Sequence, residues 1–338
     1  MNGAERFSQA VRVLSPRLAE LFLLLKDDEK KTVREIRLRR GKPVVVITEG
    51  GVCFLQGTGR LTKIPSSLAA ETDERELEEI FHRVCSYSVY ACKDAVNRGF
   101  VTVEGGHRAG IGGTAVTENG KVSAVRDISC INLRIAREIH GAADEIFRRC
   151  FSDGFSGLIV AGPPSSGKTT VLRDLARQLS GEERGVFSKV FVCDERGEIG
   201  AVHNGRVQND LGINCDVLTS YPKSEGILIG LRSFSPDIII CDEIASDEEA
   251  DAVEAGLCSG VHFALSVHAM NKSDLQSKPI VRRLLKSGCF GNVVLLSGER
   301  VGTVKRFFTA GDFNGKVSGG DSCWGGVCSG GKTYCFEG

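Results

Sequence analysis

Residues 158–179 read LIVAGPPSSGKTTVLRDLARQL. Four apolar residues of strand character come first, a helix-like run comes last, and between them stands the pattern G-x-x-x-x-G-K-[ST], from Gly162 to Thr169. Gly162 and Gly167 let the backbone curl so that successive N–H groups point toward one phosphate chain, at the positive end of a helix predicted to begin near Lys168. Lys168 is placed to reach the β- and γ-phosphates, and Thr169 has the hydroxyl position that holds Mg²⁺ in such loops, with Thr170 the next hydroxyl along. The whole loop, Gly162, Pro163, Pro164, Ser165, Ser166, Gly167, Lys168, Thr169 and Thr170, is read as a nucleotide-binding segment. The bland alternative is a glycine turn before an ordinary helix, which would not require the strand, the loop and the helix in this order.

The chain has 338 residues, enough for two domains. Its 43 basic and 43 acidic residues cancel, so no global field points to nucleic acid or an anionic membrane. No apolar run approaches a spanning helix and the N-terminal MNGAERFSQAVRVL lacks the apolar core of a signal peptide, so a cytosolic chain is expected. The 13 cysteines are odd in number and scattered through expected strands and helices, which suits buried thiols better than a disulfide framework. Cys323 and Cys328, in CWGGVC, have no neighbouring histidine, so a zinc site there is disfavoured.

The first half reads as α+β. Arg34 to Arg39 alternates charged and apolar residues before the run Val44–Ile47, which predicts two short strands around a turn at Gly41–Pro43, with the arginines on a solvent face. No aromatics interleave with this basic cluster, which disfavours a nucleic-acid patch. Thr72 or Asp73 can cap a helix whose Leu77, Ile80, Phe81 and Val84 face a core. From Gly99 to Ile135, short β-like runs alternate with glycine turns, predicting a small antiparallel sheet. The second half changes character at 153–157. Strand-like runs at 158–161, 189–193, 238–242 and 262–267 alternate with helical segments, predicting a mostly parallel sheet covered by helices. Ser246 with Glu249 forms a capping box. The expected division is 1–150, 151–308 and a Gly/Ser/Cys-rich, poorly ordered tail at 309–338.

A phosphate loop calls for a carboxylate at the tip of a neighbouring strand to hold the water shell of Mg²⁺. Asp242, ending the run IIIC at 238–241, supplies it, and Glu243 can orient or deprotonate an attacking water. The strand VFVCDERGEI at 190–199 ends in Asp194, Glu195 and Glu198, which read equally as water- or metal-positioning groups or as a solvated acidic turn. His268 ends HFALSVHAM, where a side chain can reach a γ-phosphate; a structural histidine is the commoner case.

In this order DERGEI, LRSFSPDIIICDEI and VHFALSVHA resemble the acidic box, second nucleotide motif and histidine box of the type II and type IV secretion ATPases, of the hexameric RecA-like class; the motif pair also carries the broader label AAA ATPase. The phrases VREIRLRRGKPVVV, VCSYSVYACKDAVNRGFVTVEGGHRAGIGG, VRDISCINLRIAREIHG and DVLTSYPKSEGILIGLRSFSPD resemble a sporulation branch of that family from endospore-forming bacteria, over roughly residues 10 to 308. The resemblance implies a RecA-like P-loop ATPase domain with a mostly parallel central sheet, preceded by a smaller α+β domain. It implies Mg²⁺ and ATP as cofactors and Glu243 as the hydrolytic glutamate. By the same matching the acidic box falls on Asp194, Glu195 and Glu198, and the histidine box on His268. Arginines of the smaller domain, Arg108, Arg134 and Arg137, are implied to approach the triphosphate, with Arg134 and Arg137 counted as catalytic. Arg232 matches a position that contacts nucleotide or a neighbouring subunit, and Ser266 replaces a threonine while keeping its hydroxyl. A ring, a hexamer by resemblance, is implied at the cytoplasmic face of the membrane. Its partners would be integral membrane proteins of a channel complex between mother cell and forespore.

Three competing readings remain at this level: a RecA-like ring acting on nucleic acid, a nucleotide-gated scaffold with little turnover, and a small-molecule kinase. The absence of a basic-aromatic groove weighs against the first, intact Lys168, Asp242 and Glu243 against the second, and the lack of an acceptor pocket or lid signal against the third.

Overall fold

The computed structural model describes residues 2–151, 154, 156–181 and 187–313. In the first half, helix ends are fixed by side chains that accept the orphan N–H groups of the first turn: Ser15 from Leu18, and Asp73 from Glu76. Asp73, not Thr72, is therefore the cap of helix Glu74–Val84, which buries Leu77, Ile80, Phe81 and Val84 as its spacing requires.

The two strand regions anticipated before and after this helix belong to one seven-stranded antiparallel sheet. Its order is Leu61–Thr62, Gly51–Leu55, Val45–Thr48, Val33–Arg39, Lys121–Arg134, His107–Glu118 and Phe100–Val103. The join is the pairing of Val33–Arg39 with Lys121–Arg134, in which Ile36 faces Leu133 and Leu38 faces Ile131. These four apolar side chains are buried together, whereas Arg34 and Arg37 turn outward toward Glu49 and Glu35. A register one residue away would expose the whole apolar set, so the alternation dictates the pairing. Helices Gly3–Ala10 and Pro16–Leu23 close the core, with the Phe7 and Phe22 rings edge to face at 5.9 Å.

The second sheet also has seven strands, in the order Cys215–Thr219, Val190–Asp194, Ile238–Cys241, His262–His268, Leu158–Gly162, Asn292–Leu296 and Val304–Thr309. All neighbours are parallel except the last pair. Its central strands are continuous apolar runs because both faces are covered. Ile238 and Ile240 pack with Val160, Val192 and helix Lys168–Ser180 on one side. Ile239 and Cys241 pack with Phe191, Phe263 and helices Lys223–Ser233 and Asp247–Cys258 on the other. Ser246 and Glu249 form the expected capping box.

Three strands, Cys215–Thr219, Asn292–Leu296 and Val304–Thr309, extend the four anticipated from sequence. The tail beyond Phe313 lies outside the described residues; the strand runs to Thr309, followed by the turn Ala310–Asp312. Among the described residues no helix is long and apolar enough to cross a membrane. The parallel strands all deliver their carboxyl ends to one edge, which is where open α/β sheets hold their ligands.

Candidate functional site

At that edge Leu158–Gly162 runs into the phosphate loop, and helix Lys168–Ser180 leaves it with Gly167 at its N-cap. Gly167 adopts φ +95° and Ser165 φ +62°. A Cβ on Gly167 would stand 2.4 Å from the amide nitrogen of Gly302, so glycine is required by space as well as by conformation. The Gly302 N–H donates to the Ser166 carbonyl at 2.8 Å, tying the loop to the turn between the last two strands.

Lys168 lies along the loop with its ammonium donating to the carbonyls of Gly162 and Pro163, both at 3.0 Å. It also meets His268 Nδ1 at 3.0 Å. An ammonium has only protons to give, so Nδ1 accepts, and the remaining ring N–H at Nε2 faces Glu243 Oε1 at 2.6 Å. His268 thus links Lys168 to Glu243. This follows from topology, because His262–His268 lies between the phosphate-loop strand and the strand that leads to Asp242. Burial lowers the Lys168 pKa, opposed by Asp242 and Glu243.

Thr169 donates its hydroxyl to Asp242 Oδ2 at 2.5 Å. Ser266 donates to the other oxygen of Asp242 and accepts the N–H of Glu243 at 3.0 Å. The hydroxyl retained at position 266 therefore fixes both acids at once. Glu243 sits in the left-handed region at φ +50°, and its second carboxylate oxygen meets Arg196 at 2.6 Å.

The acidic segment divides into separate roles. Asp194 is buried, and its carboxylate accepts three backbone N–H groups, from Glu198 at 2.8 Å, Ile199 at 3.1 Å and Gly200 at 2.8 Å. Burial raises its pKa while those three bonds act in the opposite direction. Asp194 is thus occupied in shaping the loop rather than turned to solvent. Glu195 approaches Lys223 at 3.5 Å. Glu198 pairs with Arg108 at 2.9 Å, and the Arg108 guanidinium also lies 4.5 Å from the Phe100 ring centroid.

Arg108, Arg134 and Arg137 line one wall of a cleft of about 260 Å³ whose other wall includes Thr169, Arg173 and Glu198. Arg134 and Arg137 are engaged on their own sheet: Arg134 lies 3.6 Å from Glu35, and Arg137 bonds Glu49 at 2.7 Å and the carbonyls of Lys31 and Val33. Arg232, exposed in the last turn of Lys223–Ser233, has no side-chain partner among the described residues.

Three cations at this edge escaped the sequence reading. Arg173 donates to the carbonyls of Glu198 at 2.7 Å and Ile199 at 3.2 Å, and Arg196 meets Glu243. Lys223 is buried against the Glu243 carbonyl at 2.7 Å. Arg173 was within reach of sequence reasoning, since it stands four residues after Thr169 on the same helix and so shares its face. Lys223 and Arg196 carried no local signal, because their partners are set by strand order.

The sporulation stage III, protein AA family model matches residues 4–312. The chain belongs to that family. A relative, stage III sporulation protein AA of Bacillus subtilis (strain 168), is 36% identical over 278 residues, covering 82% of this chain and 86% of its own. Among solved structures, that of the pilus retraction motor PilT with bound ADP aligns at a TM-score of 0.52 and 16% identity, covering 87% of this chain and 78% of its own. The Legionella pneumophila ATPase DotB aligns at 0.49 and 17% identity, over 78% and 72%. The chain therefore has the RecA-like α/β fold seen in the pilus retraction motor. That fold is a different class from the AAA ATPases, so the broader label AAA ATPase does not apply to the chain.

Proposed function

We propose that this chain is an Mg-ATP hydrolase of the secretion type, in which a ring, a hexamer, turns nucleotide state into domain movement. The observation that carries the reading is the continuous set of contacts Lys168–His268–Glu243 and Thr169–Asp242–Ser266 along the carboxyl edge of one parallel sheet. A hydroxyl and one carboxylate suit Mg²⁺, which keeps most of its waters and takes the rest of its shell from phosphates. Thr169 and Asp242 would hold the ion, which when bound would supply positive charge against the transferring phosphoryl group. The loop from Gly162 to Thr170 cradles the phosphates and Lys168 leaves its loop carbonyls to contact them. Glu243 orients water and accepts its proton, and His268 holds Glu243 at the right distance from the lysine. Glu198 and Arg108 border the same cleft; Arg134 and Arg137 reach the triphosphate when the two sheets, or two subunits, close on each other.

The division into 1–150, 151–308 and a 309–338 tail, the mother cell–forespore channel as the driven machine, and docking at the cytoplasmic membrane face through integral membrane partners belong to the same proposal. Membership of a sporulation family supports a role in spore formation.

Steady-state hydrolysis of the purified chain, beside Lys168→Ala and Glu243→Gln, tests the chemistry. Lys168→Ala is expected to lose ATP binding, and Glu243→Gln to bind ATP but not turn it over. Equal, negligible turnover in all three assembled proteins would leave a nucleotide-gated scaffold instead.

A further inference from the structure

Glu243 is held from every side, and its backbone is held as firmly as its carboxylate. A left-handed conformation is unfavourable for an L-residue with a Cβ, so something must enforce φ +50° there. On the amide side the N–H donates to Ser266 Oγ. On the carbonyl side the partner is Lys223, the first residue of helix Lys223–Ser233, whose ammonium donates to Glu243 O at 2.7 Å. Lys223 is only 6% exposed, so its charge is removed from water. The ammonium also contacts Glu249 Oε1 at 3.1 Å and lies 3.5 Å from Glu195 Oε2. The carbonyl contact is the shortest of the three.

A purely structural role would be to steady the cap of helix Asp247–Cys258, where Glu249 is the reciprocal residue. That cap does not depend on Lys223. The other oxygen of Glu249 already accepts the N–H groups of Ala245 at 2.7 Å and Ser246 at 3.2 Å, and Ser246 Oγ accepts the N–H of Glu249. Among the described residues, what only Lys223 supplies is a donor to the carbonyl of Glu243. We propose that Lys223 is a positioning residue, whose buried ammonium fixes the left-handed backbone of Glu243 and so aims its carboxylate at His268 and the attacking water.

The inference rests on Glu243 being the hydrolytic base, and two measurements keep the two claims separate. In Lys223→Met, whose side chain fills much of the same space without the donor, kcat is expected to fall about 10²-fold, the usual effect of a small misplacement of a reacting group. KM for ATP should stay near that of the parent chain, and so should the rise in melting temperature produced by Mg-ATP. An unchanged kcat, or a KM that rises in proportion to the loss, would overturn the proposal. Independently of turnover, a crystal structure of Lys223→Met should show Glu243 out of the left-handed region and its bond to His268 opened. A Glu243 that keeps φ near +50° and still meets His268 would equally overturn it, whereas a parent chain without turnover would sink the hydrolase reading alone. Should the methionine variant not fold, Lys223→Gln carries the same two tests, because its shorter amide does not reach the carbonyl.

Discussion

The two seven-stranded sheets use polar groups in opposite ways. On the second sheet they converge on the carboxyl edge, where buried Lys168 at the start of its helix, half-buried Asp242 and Glu243 just past their strand, and exposed His268 at the end of its own come together. Toward the first sheet they close a joint. Arg6, buried in the N-terminal helix, pairs with Glu138 and donates to the Gly105 carbonyl at 2.8 Å. Glu138 accepts the Asp210 N–H at 2.7 Å, and Gly105 donates to Gln208 at 2.7 Å. Strand ends are free to present side chains to a ligand, whereas groups enclosed between two layers must satisfy one another. Changes at the edge should therefore alter chemistry without altering folding, and changes at the joint should do the reverse.

The largest effect that would break this contrast lies at Asp242. Asp242→Asn removes the charge facing Thr169, and turnover is expected to fall by about 10²–10³-fold, equivalent to losing several kcal/mol of metal-assisted stabilisation. Its melting temperature should stay close to that of the parent chain, because Ser266 and Thr169 can still bond an amide. A melting temperature that fell along with turnover would place Asp242 among the structural groups instead.

Next comes the joint. His107 is fully buried; its Nδ1 accepts the Ala136 N–H at 2.9 Å, and Nε2 has no partner among the described residues. Burial, with the nearby Arg6 guanidinium, lowers its pKa from 6.5 to about 4. The unfolded chain therefore takes up the proton first. Stability is complete above pH 6.5 and is lost as pH falls toward 4, by roughly 3 kcal/mol if His107 alone titrates in that window. Thermal melts across this range check it, and His107→Asn, which can keep an acceptor for Ala136, should flatten the dependence. An equally steep curve in that variant would move the effect to another group.

The smallest effect sharpens the contrast where the two regions touch. Arg108 reaches from the first sheet to Glu198 across partly exposed surface, so Arg108→Ala should change stability by no more than about 1 kcal/mol. If the first sheet contributes to the chemistry, kcat should nevertheless drop. A variant with full turnover would confine the chemistry to the second sheet.

The sequence was most informative where local pattern and final environment coincide. GPPSSGKTT announces its turn and helix within nine residues, and the apolar runs at 158–161 and 238–241 suit strands covered on both faces. Ser246 with Glu249 and the helix through Leu77 and Val84 were legible for the same reason. What stayed hidden depends on distant pairing. Val33–Arg39 and Lys121–Arg134 are about ninety residues apart, so nothing local says that they share a sheet. Cys215–Thr219 lies at an edge and mixes polar with apolar residues, which weakens its strand signal. For Asp194 the sequence leaves a positioning group and a solvated acidic turn equally open, because composition reports a carboxylate but not the three N–H groups that occupy it. The arginines at 134 and 137 were visible as a class, but their engagement with Glu35 and Glu49 was not.

The bond from Gly302 to Ser166 gives the last two strands a mechanical meaning. Asn292–Leu296 and Val304–Thr309 form a hairpin whose turn grips the phosphate loop, and Val304–Thr309 is the outermost strand of its sheet. Anything that pulls on that rim tugs the Ser166 carbonyl two residues before Lys168. The rim of the sheet is thus joined, through one backbone hydrogen bond, to the loop that carries Lys168.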